Sequence, residues 1–186
     1  MIINIFKYSE LSESAQQNAV KNCKSEIANE LNETDAEDFR YLSECLTDIF
    51  PFRTKDTYTN FTLNENEKNL EGLALIDDII KRLNDYAEYY ETLADLTEKK
   101  WVFTGCYADE EVCNFITDFL LGKRSNITTY EEFANGIGQA LRKQWKENED
   151  LNTSDELVKE YLQNDKDKYF FENGEECKWT PTPQAN

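Results

Sequence analysis

Apolar residues recur at every fourth position in Ala15, Ala19, Cys23, Ile27 and Leu31, the spacing that places side chains along one face of a helix. Ser12 stands where an N-cap belongs, so a first helix is expected to open there. Thr34-x-x-Glu37 has the form of a capping box. It predicts a break near Asn32 and a second helix that buries Phe39, Leu42, Leu46 and Ile49 before stopping at Phe50-Pro51. A third, long helix is expected in "NLEGLALIDDIIKRLNDYAEYYETL", where Leu70, Leu73, Ile76, Ile80, Leu83, Tyr90 and Leu93 keep helical spacing. "ADEEVCNFITDFLLG" predicts a further helix with glycine at its C-terminal end. Thr128-x-x-Glu131 opens the next one, running through Phe133, Ile137, Leu141 and Trp145.

Strand patterns are shorter. Residues 2 to 7, Asp56 to Leu63 and "KWVFTGCY" carry β-rich composition, and "KYFFENGEECKW" reads as a terminal hairpin turning at Asn173-Gly174. The polar stretch "KENEDLNTSDE" separates the preceding helix from a short one in "SDELVKEYLQND". The expected fold is therefore α+β: a helix-rich single domain over residues 1-180 with a small, mainly antiparallel sheet. That sheet would comprise a short N-terminal strand, two middle strands and a C-terminal hairpin, with residues 181-186 as a frayed tail.

Charge narrows the possible functions. Thirty-eight acidic residues face twenty basic ones across 186 positions, a formal charge of −18. Aromatics at 13% are too frequent for a disordered acidic tail, so this reads as a folded acidic body. Such a field repels nucleic acid and anionic lipid and attracts basic surfaces, so neither direct nucleic-acid binding nor membrane binding is expected. "MIINIFKYSELS" turns polar before a secretory pattern develops, and no apolar run approaches the ~18 residues of a membrane span. A cytoplasmic location, in a host cell's cytosol, is the expectation. Five widely spaced cysteines fit reduced thiols better than a disulfide framework.

The chain contains no histidine. Ser-His-Asp and Cys-His catalysis, His-ligated zinc and the commonest general base near neutral pH are thereby removed. There is no C-x-x-C pair, no P-loop and no strand-linked G-x-G-x-x-G, so no metal or other cofactor is expected. Asp77 and Asp78, or Asp109, Glu110 and Glu111, could in principle hold magnesium or manganese for phosphoester hydrolysis. The plainer reading is helix-terminus complementarity for the second group and divergent directions for the adjacent pair. The chain is therefore read as having no catalytic residues.

Carboxylates matter more as surfaces. Glu33, Glu37, Glu44 and Asp48 share the helix face opposite Leu42 and Leu46, diluted by Arg40. Glu147, Glu149, Asp150, Asp155, Glu156 and Glu160 form a denser group, and Glu172, Glu175 and Glu176 a third. Clustered carboxylates on a rigid body can imitate a phosphate backbone for a protein built to hold one.

Two stretches carry a resemblance. "YSELSESAQQNAVKN" and the closing "ELVKEYLQNDKDKYFFENGEE" resemble the ends of a family of small acidic phage and mobile-element proteins with an "ELSEEAQEKA"-like opening. Between them the chain departs from the family's Gly-rich loop, since "FTLNENEKNLEG" retains only Gly72. The resemblance implies a counter-defence setting. The expected function is a non-catalytic inhibitor, of the anti-CRISPR or anti-restriction kind, that binds a basic host protein such as a CRISPR effector or restriction nuclease. An antitoxin-like protein neutralising a basic toxin is the alternative, and a Mg/Mn carboxylate phosphoesterase a further one.

Overall fold

The computed structural model describes residues 4–55, 57–89, 103 and 109–178. Among them are five α-helices and one two-stranded antiparallel sheet: α1 Glu13–Ile49, β1 Phe52–Lys55, β2 Thr57–Leu63, α2 Gly72–Tyr89, α3 Glu110–Leu120, α4 Tyr130–Asn152 and α5 Asp155–Asn164. The helix-rich α+β class is as expected. None of the described helices is long and apolar enough to cross a membrane. The chain divides into two compact units, Met1–Glu33 with Asn148–Asn186 and Thr34–Glu147.

In the first unit the four-residue stripe is the core. Ala15, Ala19, Cys23 and Ile27 are buried with Val158 and Leu162 of α5, Tyr8, Leu11 and Phe170. Ser12 caps α1 by accepting the Ala15 amide at 3.3 Å, and Ser154 caps α5 through the Leu157 amide at 3.2 Å. Small residues at 15 and 19 let the terminal turn come against the helix. A Cβ on Gly174 would lie 2.1 Å from the Ala15 carbonyl oxygen and 3.1 Å from the Ala19 nitrogen.

The second unit centres on Phe133, whose ring lies 4.9 to 6.3 Å from those of Phe50, Phe52, Phe115, Phe119 and Tyr130. β1 pairs with β2 in the register Phe52↔Leu63 and Thr54↔Phe61, with an irregularity after Thr54. α4 meets β2 at Thr59. Arg142 donates to the Thr59 carbonyl at 2.8 Å, and at Gly138 a Cβ would stand 2.5 Å from that same oxygen.

Several expectations need correction. No break occurs near Asn32, because α1 is continuous. With neither Gly nor Pro there, nothing forces the backbone out of the helix, and the Asn32 side chain is occupied in accepting from Asn152 at 2.8 Å. The polar stretch after Trp145 is helical as far as Asn152, since Asn148 and Asn152 are buried on the inner face of α4. The capping box of α4 is shifted by one: Glu132 accepts the Thr128 and Thr129 amides, and Thr129 Oγ1 accepts the Glu132 amide. Residues 4–7 form no strand; Phe6 makes a single bridge to Phe170. The terminal reversal turns at Gly174, φ 85°, but holds one bridge, Phe170↔Glu176, in place of two strands. β1 was not anticipated. "KWVFTGCY" apart from Phe103, Cys106, Tyr90 and Leu93 of the third helix, and the tail at 181-186 lie outside the described residues.

One buried group gives a stability prediction. Thr117 on α3 is 2% exposed, and its hydroxyl has no hydrogen-bond partner. An apolar group of that shape removes an uncompensated desolvation cost. Thr117→Val is expected to raise the unfolding free energy by up to ~1 kcal/mol in urea titration. A loss of that size would contradict the unpartnered hydroxyl.

Candidate functional site

All ten carboxylates singled out above are exposed. In the second unit Glu37, Glu44 and Asp48 stand on α1, while Leu42 and Leu46, on the opposite side, are fully buried. None of the three has an ion pair among the described residues, and Arg40 beside them has none either. Tyr41 is 55% exposed, four residues after Glu37 and three before Glu44, hence within the same stripe. Charge patterning alone passes over it, although its spacing from two acidic neighbours was visible. Glu147, on α4, is partly neutralised by Lys143 at 3.6 Å.

In the first unit Glu33 is exposed and has no ion pair among the described residues, and the same holds for Glu149 and Asp150 at the end of α4 and Glu156 and Glu160 on α5. Asp155 is held by Lys24 at 2.5 Å. Eight of the ten thus carry charge that no described cation offsets. Backbone geometry positions the α4 and α5 groups: Thr153 ends α4 with its hydroxyl donating to the Glu149 carbonyl, and Ser154 at once opens α5.

Of the third acidic group Glu172 and Glu175 are exposed, and Glu176 alone is drawn into the fold. Glu176 turns inward, accepting from Lys168 at 3.2 Å and from the Cys23 thiol at 3.8 Å. Glu26 completes the arrangement at 3.1 Å from the Lys168 ammonium. Burial, then the Glu176 charge, pushes the Cys23 thiol up to about 11. For Lys168 burial opposes the charge, but hydrogen bonds to Glu26 and Glu176 outweigh it and hold the ammonium above its ordinary value.

Both shifts act in the same direction on stability. From pH 9 to about 11 the unfolded chain releases the Cys23 proton that the folded chain keeps, so stability present below pH 9 is lost as pH rises. Lys168 adds to that loss above its ordinary value of 10.5. The thiol's share is on the order of 2 kcal/mol. Urea midpoints measured from pH 8 to 11 are expected to fall more steeply in the native chain than in Cys23→Ala; parallel slopes would deny the shifted thiol.

Three of the five carboxylates considered for metal chemistry, Asp78, Asp109 and Glu111, are engaged elsewhere. Asp78 accepts from Arg82 at 2.7 Å and from the Tyr130 hydroxyl at 3.0 Å, and burial followed by that bond raises the tyrosine's pKa. Asp109 is buried and accepts the Phe103 amide at 2.9 Å. Glu111 pairs with Lys143 at 2.8 Å. Among the described residues no three Cys, Asp or Glu side chains converge as metal ligands.

No family model, curated protein or solved structure matches the chain. The reading of function therefore stands on the residues themselves. What the exposed carboxylates can do is attract and orient a basic surface over roughly a Debye length of 8 to 10 Å. Along α1, Glu37 to Asp48 spans about 17 Å of helix axis with three charges. One strand of a duplex would present about five phosphates over that length. The end of α4 and the start of α5 place more acidic residues in a stretch of the same length, twelve positions, with five between 149 and 160.

Proposed function

We propose that this chain is a non-catalytic inhibitor that occupies the nucleic-acid-binding surface of a basic host protein in the cytosol, a CRISPR effector or restriction nuclease being the class of partner. The observation that carries the reading is that eight exposed carboxylates on helices have no ion pair among the described residues, in a protein of charge −18. Fixed charges on helices need no reorganisation to meet Lys and Arg side chains arranged for phosphates, and they steer encounter. The likeness of the two chain ends to phage proteins supplies the biological setting.

Capture from host lysate at low and at high salt tests this. A salt-sensitive basic partner is expected, and its prior loading with DNA or RNA should prevent capture. Capture that proceeds unchanged on the loaded partner would sink the mimicry. Rescue of growth from a co-expressed basic toxin would reassign the chain as an antitoxin.

A further inference from the structure

A groove of about 390 Å³ runs between α3, the segment after it and α4, large enough for a specific ligand. Its α4 wall carries Glu132, Asn135, Gln139 and Lys143, and Asn126 faces them from the segment after α3. The three amide side chains make no hydrogen bond among the described residues, so their donors and acceptors are available to a ligand. The charged groups are already committed. Lys143 is bound by Glu111, Arg124 lies 3.6 Å from Asp118, and Glu132 accepts from the Thr128 and Thr129 amides. This leaves a nearly neutral lane in a strongly acidic protein.

The floor limits the ligand further. Phe115 is only 4% exposed, because glycine at 136 lets the ring press against α4; a Cβ there would meet it at 2.1 Å. No aromatic face is offered, so neither a sugar ring nor a nucleobase has a surface on which to stack. Ile127 and Ala140 supply small apolar contacts instead. From Glu132 to Lys143 the wall is about 16 Å long, the length of roughly five extended residues. Primary amides pair with peptide groups donor to acceptor and acceptor to donor.

We propose that the groove binds the main chain of an extended, uncharged peptide segment. The proposal does not depend on the role of the acidic surfaces. Its test is selection from a display library of random heptapeptides lacking Asp, Glu, Lys and Arg. Selected peptides are expected to bind about tenfold more weakly to Gln139→Leu and to Asn135→Leu, each losing one or two hydrogen bonds at an exposed position. In amide-resolved NMR the same peptides should shift the side-chain NH₂ signals of Asn126, Asn135 and Gln139, and Glu149→Lys should leave binding unchanged. Failure to select any peptide, equal binding by the leucine variants, or displacement of those signals by maltopentaose in place of peptide would each overturn the proposal.

Discussion

Reversing Glu149, Asp150, Glu156 and Glu160 to lysine is expected to weaken binding of the basic partner by at least ~100-fold at physiological salt, and to flatten the dependence of affinity on salt. These four are exposed, none has an ion pair among the described residues, and they fall within twelve positions, a length that holds only three on the α1 stripe. Each change replaces attraction by repulsion, which acts on a partner's Lys and Arg more strongly than simple removal. Reversal of Glu37, Glu44 and Asp48 should cost less, because their charge density along α1 is about half that of a phosphate strand. Tyr41→Ala distinguishes a second possibility within that stripe: an exposed aromatic ringed by charge is a common interface anchor. Titration calorimetry across a salt series separates the sets. Equal loss from both would indicate a bulk field without a defined face, and no loss from either would remove the acidic surface from the account.

Gly174→Ala is expected to destabilise the first unit by about 2–5 kcal/mol. Two costs add there. A φ of 85° is a conformation that L residues adopt at a cost of ~1–2 kcal/mol, and the new Cβ would stand 2.1 Å from a backbone oxygen of α1, which cannot rotate away. Forced overpacking of this kind adds a further ~1–3 kcal/mol. Gly122→Ala is the control. Its φ is 72° but open space surrounds it, so only the backbone cost of ~1–2 kcal/mol should appear in its urea midpoint. Similar losses at the two glycines would mean that the turn is free to move off the helix.

Much of the helical layout was legible because it is local. The stripe Ala15, Ala19, Cys23, Ile27 repeats about once per turn along one helix, and the cap at Ser12 lies within that helix's first turn. A capping box is also local, yet Thr34-x-x-Glu37 misled: an N-cap ends a helix only where the preceding backbone gains by leaving it. The uninterrupted α1 is a tertiary outcome, as is the helical course of the polar stretch, whose buried asparagines find partners only after folding. The strands were harder to place, since a two-stranded pair borrows its stability from what packs on it.

For the candidate surfaces the division is similar. The sequence by itself determined the charge, the lack of histidine and the helix positions of the carboxylates, because composition and helical period need no partners. Only the tertiary structure decided which charges are spent across the fold: Glu176 and Glu26 on Lys168, Asp155 on Lys24, and Asp78 on the Tyr130 hydroxyl. The groove with its three amides is likewise absent from any local pattern. An ion pair or a cleft is a distance between residues far apart in the chain, and periodicity along the chain carries no such distance.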